Sequence, residues 1–538
     1  MYCSLWRAVL PLGGLALDHF SLLEQRWIPV RLTSGEVVSL GLLDVFRRQS
    51  DIAALACSRP PTMVGVIRLL LAIVHRALSC SSGRWTVRDR FNWHRDGLPA
   101  DAIVLYLEKW RSRFNLFDPD FPFMQVAVLS QAEETRDKVK PWTQIDLASA
   151  SGNTPIVFDH ACDLMPTTIT PADAVNLLLE YQSFVPGGLV KVFRSSDKAG
   201  PLANTAAVIP VGPMLWQTLC LNLHAPAVDR AIDDLPCWER LALTTKDLAA
   251  APTLATGPND RYTHVSRSVL LLREPDGLVR WLRFGAGVAL DEDVQAPDPM
   301  AAYRKGALGL VRLTFTGGRA LWRDLPALLP AVGAEGGKAP SVLEYAATLR
   351  AEAPMGNPYQ PVWVAGLASD QAKLLRWRLE QIILPEKLLL SEADVRDFLD
   401  FVQVADALYG ALRSVAVRLI GNAMPKGEPR ERQAVARQRF DVGQYAAGFF
   451  STVERSLPRV LRLLQEGFVD EARTTWGNTL RQTGQHMWNV LQKNQGFTPN
   501  ALREQARQAP YFFSAIRRQL RDFAPVSPGV DQQGRVHE

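Results

Sequence analysis

The segment Phe114–Gln125, FNLFDPDFPFMQ, is the most distinctive stretch of this chain. Its Phe, Leu and Met residues are interrupted by Asp and Pro, and they follow neither the helical nor the strand period. The run Asp118-Pro119-Asp120 is typical of a turn, because Pro fixes φ and Asp side chains accept hydrogen bonds from nearby amides. Pro122 predicts a second bend. The segment is therefore interpreted as a bent loop whose Phe side chains anchor it in a core.

The residues before this segment predict a hairpin and three helices. Residues 27–30 and 36–40 alternate in hydrophobicity around Thr33-Ser34-Gly35, which is typical of a strand hairpin. Asp101 is a candidate N-cap of the third helix, and His75, in the strongly apolar second helix, is interpreted as a core residue. The three helices are predicted at residues 42–48, 63–79 and 101–114.

After this segment the pattern changes twice. From about residue 126 to 340, short strands alternate with turns rich in Gly, Pro and Asp, which indicates α/β structure with long loops. From Gln371 onward helical patterns dominate, and Ser391 is a candidate capping residue. The strands are predicted at residues 206–211, 268–272 and 309–316, and the helices at 391–412, 456–468, 473–491 and 499–523.

The whole chain is too long for a single core. It predicts an α+β fold, in which a large N-terminal mixed α/β domain with long loops (residues 20–372) precedes a C-terminal four-helix bundle (residues 373–525). Residues 1–19 are expected to be a poorly ordered extension at the start, and residues 526–538 a disordered tail.

The charge is unevenly distributed along the chain. Residues 401–525 contain 18 Lys and Arg against 10 Asp and Glu, whereas residues 1–400 contain 41 basic and 43 acidic residues. A neutral body with a basic C-terminal third suits a protein that lays one domain against a polyanion. A solvated, Arg-rich helical surface would show the same balance, so charge alone leaves both interpretations open.

The six cysteines are scattered, with no C-x-x-C and no paired His spacing. This pattern argues against a zinc site and is typical of buried thiols in a reducing compartment. The apolar residues 5–17 are too short to span a bilayer and are broken by Pro and Gly, and no later stretch reaches 18 uncharged apolar residues. We therefore expect a cytoplasmic protein with no metal, no cofactor and no membrane partner.

Motifs of common enzymes are missing from the sequence. There is no G-x-S-x-G, H-E-x-x-H, Walker A or G-x-G-x-x-G, and the eight His are scattered. We therefore expect no catalytic residue. A metal-dependent nuclease or other hydrolase, with a site assembled from distant carboxylates, is the alternative. A helical scaffold that binds only proteins is a third hypothesis.

Several features in their order resemble a known family. These features are LLEQRWIPVRLTSGEVVSL near the start, FNLFDPDFPFMQ, the succession of loops and the terminal helices. Together they resemble the large subunit of the type I-E CRISPR Cascade complex, the CasA family, over residues 20–523. The resemblance implies a non-enzymatic subunit that recognises the protospacer-adjacent motif (PAM) in double-stranded DNA, opens the duplex and helps to recruit a helicase-nuclease. The implied partners are the guide RNA, the target DNA and the other Cascade subunits: backbone, small, and guide RNA 5′-handle-binding.

Two glycine-containing loops are candidate contacts. Gly152, Asn153 and Thr154 leave amides and short side chains exposed, and the resemblance implies a loop here that contacts guide RNA or DNA. Gly187-Gly188 lets backbone approach a partner closely, beside Lys191, Arg194 and Lys198. The resemblance implies a PAM contact at these glycines. On sequence alone, an ordinary turn is the favoured explanation of both loops.

Two further candidate sites lie downstream. Arg304-Lys305 is predicted at a hairpin tip, and the resemblance implies a lysine finger that enters the minor groove. Asp370, Gln371 and Ala372 precede the helical region, where Asp370 is a candidate helix cap; the resemblance implies a Gln-centred wedge here, with Gln371 at its centre. A solvated turn and a polar helix start are the alternatives. Basic residues of the bundle could form one DNA-facing surface: Arg413, Arg418, Lys426, Arg430, Arg432, Arg437 and Arg439.

Overall fold

The computed structural model of the chain describes residues 19–149, 164–203, 205–226, 233–292, 296–306, 309–315, 319–330, 337–370, 373–424 and 428–523. Residues 1–18 of the predicted extension and the whole predicted tail lie outside these ranges. The described strands are β1 Ile28–Leu32, β2 Val37–Leu40, β3 Ile52–Leu55, β4 Lys140–Pro141, β5 Ala207–Pro210, β6 Arg267–Arg273, β7 Val279–Ala286, β8 Tyr303–Gly306, β9 Gly309–Arg312, β10 Gly337–Lys338, β11 Tyr359–Asp370 and β12 Lys373–Pro385.

Helices occur throughout the described chain and dominate its C-terminal part. They are α1 Leu42–Arg47, α2 Pro60–Ser82, α3 Val87–Asp96, α4 Ala100–Lys109, α5 Pro171–Phe184, α6 Leu215–Asn222, α7 Thr245–Ala249, α8 Pro258–Tyr262, α9 Ser341–Glu352, α10 Lys387–Leu390, α11 Glu392–Ala423, α12 Pro429–Val442, α13 Tyr445–Glu454, α14 Leu457–Glu466, α15 Val469–Gln495 and α16 Pro499–Gln519.

The strands form small antiparallel sheets. Their orders are β2-β1-β3, β10-β8-β9, β12-β11-β5 and β4-β7-β6. The predicted N-terminal hairpin is confirmed as β1 and β2, with Gly35 at a positive φ of 90° in its turn. This mixed N-terminal region followed by helices confirms the predicted α+β fold.

The segment Phe114–Gln125 is confirmed as a structural anchor. Phe114 and Phe123 are fully buried, with ring centroids 5.4 Å apart, and Phe114 also contacts the Trp238 ring. The Gln125 side chain accepts the Leu271 amide at 2.7 Å and thereby occupies the free edge of β6. The segment therefore ties the aromatic core to the β4-β7-β6 sheet.

The turn predicted within this segment is also present. Asp118 Oδ1 accepts the amides of Asp120 and Phe121 at 3.0 and 2.8 Å. The guanidinium of Arg113 lies over the Phe121 ring, 3.3 Å from its centroid. The segment is therefore a folded structural element rather than a site with reactive groups.

Helix α2 lies at the centre of the N-terminal core. Among the described helices it alone is long and apolar enough to cross a membrane by length and composition, but 83% of its apolar stretch is buried inside the protein. Burial is the behaviour of a core helix. His75 within it stacks on His224, with centroids 3.7 Å apart, and burial holds its pKa well below the usual range. The interpretation of His75 as a neutral core residue is confirmed.

The four helices predicted in the C-terminal region are confirmed as α11, α14, α15 and α16. Ser391 caps the first of them, because its hydroxyl accepts the Asp394 amide at 3.3 Å. Helices α12 and α16 pack against α11, and α13 and α14 pack against α15. Trp476 of α15 donates its indole N–H to the Phe401 carbonyl of α11 at 2.8 Å, deep in the bundle.

The predicted start of the helical region is wrong. Lys373–Pro385 forms β12, which pairs with β11 along its whole length, and the helices begin only at Lys387. Strand β11 also pairs with β5, so that tertiary pairing and not local preference decides the conformation of these residues.

The predicted cap of the third helix is also wrong. Helix α4 begins at Ala100 with Pro99 at the N-cap position, and no side chain caps it. Asp101 instead lies in the first turn, where its charge favours the positive end of the helix dipole.

Candidate nucleic-acid interface

The Gly187-Gly188 turn is exposed and held by the backbone of Asp197. The amide and carbonyl of Gly188 pair with those of Asp197 at 3.1 and 2.8 Å. A Cβ at Gly187 would lie 3.2 Å from the Ala199 amide nitrogen, whereas one at Gly188 would meet nothing within 4 Å. The turn therefore presents open backbone at Gly188 on a fixed base.

Not all of the cations near this turn are available to bind a partner. Arg194 donates to Asp197 at 2.9 Å and to the carbonyls of Ala250 and Gly287, so it stabilises the turn rather than facing a partner. This corrects the expectation that Arg194 supplies free charge. Lys191 is exposed, and Lys198 lies 3.6 Å from Asp291.

Arg304 and Lys305 lie on a short hairpin, at the end of β8. Arg304 pairs with Val311 and Lys305 with Leu310 across β9. Both cations are exposed, and neither forms a hydrogen bond or ion pair with the described part of the chain. The predicted hairpin is therefore present, and both charges are free to meet an external anion.

The predicted wedge lies at the end of a long hairpin. Asp370 is the last residue of β11 and pairs with Lys373 of β12, so it does not begin a helix as expected. Gln371 and Ala372 fall between the strands, outside the described residues. The long pairing of β11 with β12 makes this hairpin rigid. A side chain that inserts between bases needs such a rigid support.

Gly152, Asn153 and Thr154 lie outside the described residues, but the chain before them is described. Asp146 accepts the Ala148 amide at 2.9 Å and the Ser149 hydroxyl at 2.6 Å. Arg59 Nη1 forms an ion pair with Asp146 Oδ1 at 2.5 Å. The ion pair therefore fixes the base of the segment that leads to the predicted guide RNA contact.

Behind this ion pair lies Glu180, whose side chain is fully buried. It accepts the Thr62 hydroxyl at 2.6 Å and lies 3.6 Å from Arg59. Burial raises the pKa of Glu180 from 4.5 to about 7, against the opposing effects of Thr62 and Arg59. Between about pH 4.5 and 7, the folded protein therefore keeps a proton on Glu180 that the unfolded chain has already released.

Glu180→Gln is expected to change the pH dependence of stability. Because the folded pKa is raised, Glu180 contributes stability that is lost as pH rises from about 4.5 to 7, whereas the amide does not titrate. Between pH 5 and pH 8, the melting temperature of the variant should therefore rise relative to that of the wild type. The exposed Glu36→Gln is the control; equal pH dependence in wild type and Glu180→Gln would contradict the prediction.

The basic residues of the bundle do not form one continuous face. On α12, Ala436 and Phe440 face the core. Helical geometry places Arg430 and Arg437 on one flank of this buried stripe and Arg432 and Arg439 on the other.

Their neighbours on α11 are also separated. Arg413 pairs with Asp441 at 3.0 Å, and Arg418 is exposed. Lys426 lies outside the described residues. The exposed cations Arg430 and Arg437 are the pair that this geometry brings together.

Sequence reasoning missed the side chains that support these loops. Asp197 and Arg68 make buried ion pairs with residues distant in sequence, and Arg312 pairs with the half-exposed Glu292. An Arg within the apolar stretch 63–79 is the one local signal that was available, since an unpaired buried charge is costly. Across the described ranges, no three His, Cys, Asp or Glu side chains gather as metal ligands would.

Comparisons with known proteins identify the family. The family model described as CRISPR-associated protein Cse1 matches residues 21–487. The CRISPR-associated protein CasA/Cse1 of Thermus thermophilus is 38% identical over 387 residues, which cover 70% of this chain and 74% of that protein.

Solved structures have the same fold. A crystal structure of Thermus thermophilus CasA matches with a TM-score of 0.79 at 30% identity, covering 93% of this chain and 99% of that one. A chain from a CRISPR RNA-guided surveillance complex matches with a TM-score of 0.73 at 21% identity, covering 92% and 100%. The resemblance noted in the sequence is confirmed, and the chain belongs to the CRISPR-associated Cse1 (CasA) family, the large subunit of type I-E Cascade.

Proposed function

We propose that this chain recognises the PAM in double-stranded DNA, separates the strands beside it and so starts R-loop formation. It does this without catalysis, in the cytoplasm, within a Cascade complex of backbone subunits, small subunits, a guide RNA 5′-handle-binding subunit and guide RNA. Its surface also helps to recruit the helicase-nuclease. The solved relative within a surveillance complex and the four free cysteines of the described residues support this setting.

The proposal rests on two hairpin cations that have no partner among the described residues and can therefore bind DNA. Arg304 and Lys305 are exposed, and no described residue pairs with them. The next three arginines in the sequence pair with carboxylates, each at 2.8 Å: Arg312 with Glu292, Arg319 with Asp324 and Arg323 with Asp406. Two cations left free on a hairpin suit an external polyanion.

A narrow hairpin with two cations can read a groove coarsely. The minor groove distinguishes A·T from G·C pairs and little else, so a few contacts plus groove shape read a short, permissive motif. Guide pairing then supplies the remaining sequence specificity. The proposed role therefore needs positioned charge and shape but no reactive group.

The long hairpin suits strand separation. Its two strands pair from Tyr359–Pro385 to Asp370–Lys373, and its base packs on β5. Inserting a side chain between base steps costs a few kcal/mol of unstacking, which pairing with the guide repays. We assign this insertion to Gln371.

The proposal is tested by omitting the chain from a reconstituted complex. A complex that contains the chain is expected to bind a guide-matched duplex with a flanking PAM, whereas a complex without it should bind only the single-stranded complement. Equal duplex binding by both complexes would contradict the proposal. Divalent-dependent cleavage of DNA by the purified chain would instead favour the nuclease hypothesis.

A further inference from the structure

One arginine at the base of the basic hairpin contacts two other segments. Arg312 ends β9, opposite Tyr303 of β8. Its Nε donates to Glu292 at 2.8 Å, and its Nη1 donates to the Pro201 carbonyl at 2.9 Å and the Thr205 hydroxyl at 3.3 Å. The side chain is only 19% exposed. The Nε and Nη1 donors are therefore used within the protein.

Pro201 belongs to the segment that carries the glycine turn. The Gly200 amide beside it donates to the Val185 carbonyl at 2.8 Å, at the end of α5. Earlier in the same segment, Gly188 is tied to Asp197 by two backbone hydrogen bonds. The contact with Pro201 therefore links the basic hairpin to the glycine turn.

Thr205 connects Arg312 to the long hairpin formed by β11 and β12. A Cβ at Gly366 of β11 would lie 2.6 Å from the Thr205 carbonyl oxygen, so this approach requires glycine. The next amide, that of Ala206, donates to the carbonyl of Leu313 at 2.9 Å, directly after β9. All three elements proposed to meet DNA therefore converge on a few backbone groups.

The carboxylate partner of Arg312 belongs to the same junction. Glu292 also accepts the Tyr303 hydroxyl at 3.3 Å, and its side chain is 50% exposed. The adjacent Asp291 lies 3.6 Å from Lys198 Nζ in the glycine-turn segment. Residues 291 and 292 thus connect the two segments a second time, at the surface.

We propose that Arg312 is a positioning residue that holds the Arg304-Lys305 hairpin in a fixed geometry against the glycine turn and the long hairpin. This inference rests on the proposed function. DNA contacts demand placement within about 0.5 Å, and a loosened hairpin must be ordered at the moment of binding. Arg312 thus acts through Lys305 without touching DNA itself.

The test compares Arg312→Gln with Lys305→Ala in the complete reconstituted complex. Two probes are used: a guide-matched duplex with a flanking PAM, and its single-stranded complement. Arg312→Gln is expected to weaken duplex binding about tenfold, the scale of a lost charge-assisted hydrogen bond, and to leave binding of the single strand unchanged. The double variant should lose less than the product of the two single effects, because the two residues act on one contact.

A matched control comes from another ion pair. Arg323 also pairs with a carboxylate at 2.8 Å and is 14% exposed, but its partner Asp406 lies on α11 of the bundle. Arg323→Gln should leave both DNA affinities unchanged. If Arg312→Gln does not fold, Glu292→Gln removes the ion pair at a half-exposed position and should weaken duplex binding in the same direction.

The results distinguish the positioning role of Arg312 from the proposed DNA-reading function. Wild-type duplex affinity in Arg312→Gln, together with weakened binding in Lys305→Ala, would overturn the positioning role and leave the proposed function intact. Equal loss on duplex and single strand would also overturn it, since a general structural defect acts on both probes. An unchanged duplex affinity in Lys305→Ala would overturn the assignment of Lys305 as a groove-reading cation, and with it the positioning role, whereas the proposed function itself is decided by omitting the chain from the complex.

Discussion

Replacing Asp298 by Ala is expected to lower the free energy of unfolding by about 3–5 kcal/mol, the usual cost of leaving a buried charge without its partner. Asp298 accepts hydrogen bonds from Arg68 Nη1 at 2.8 and 3.0 Å and from the Met300 amide at 3.0 Å, and the Arg68 and Asp298 side chains are fully buried. The same guanidinium donates to the Arg261 carbonyl at 2.8 Å and lies over the Tyr262 ring. Without the carboxylate, this positive charge would remain inside the core. Denaturant unfolding measures the change.

Two further variants separate the charge effect from a loss of packing. Replacing both partners, as Arg68→Met with Asp298→Leu, should recover much of the lost stability, because no unpaired charge then remains. Asp137→Ala removes the carboxylate of an exposed pair with Arg136, and should change stability by less than about 0.5 kcal/mol. An Asp298→Ala protein as stable as the Asp137→Ala control would contradict the role of the buried pair.

Lys305→Ala and Gln371→Ala are each expected to weaken binding of a guide-matched duplex by about tenfold to a hundredfold, the equivalent of about 1–3 kcal/mol. Lys305 offers an exposed cation without an internal partner among the described residues. Gln371 comes directly after Asp370 in the sequence, and Asp370 is the last paired residue of β11. Removal of either side chain should leave the fold unchanged. Titration of the reconstituted complex with labelled duplex measures the effect.

Lys246→Ala provides a control for this measurement. Lys246 is exposed on the short helix α7 and belongs to neither hairpin, so its removal changes net charge equally without removing a proposed contact. Its duplex affinity should match that of the wild type. Unchanged affinity in both Lys305→Ala and Gln371→Ala would rule out these two site assignments.

Local sequence patterns predicted much of the fold. The β1–β2 hairpin, the apolar helix α2 and the capped helix α11 all carry periodic hydrophobicity or a capping residue that acts within a few positions. The anchor segment was also recognisable, because its clustered Phe and Pro residues exclude a regular helix or strand.

Strand β12 could not be predicted in the same way. Residues 373–385 are rich in Leu, Arg, Glu and Gln, which favour helices. They form a strand because β11 pairs with them along its length and is itself paired with β5. Strand β11 is in turn fixed by β5, which lies far back in the sequence, where a local pattern carries no information about it.

The candidate site was predictable only in outline. The resemblance placed the loops at Gly187-Gly188, Arg304-Lys305 and Gln371, but it gave no indication that Arg194 is used internally. Arg312 and Thr205 are more than 100 residues apart, so their contact depends on the completed fold. Solvent-exposed charges and internal ion pairs look alike in a sequence, and the structure is needed to separate them.

PAM recognition by the basic hairpin is tested most directly by measuring which flanking sequences the complex selects. A library of guide-matched duplexes, randomised in the few base pairs beside the target, is bound by complexes that contain either the wild-type chain or Arg304→Ala/Lys305→Ala. The wild type is expected to enrich a short PAM, and the variant is expected to lose this enrichment while still binding the single-stranded complement. Enrichment of the same motif to the same extent by both complexes would contradict PAM recognition by this hairpin.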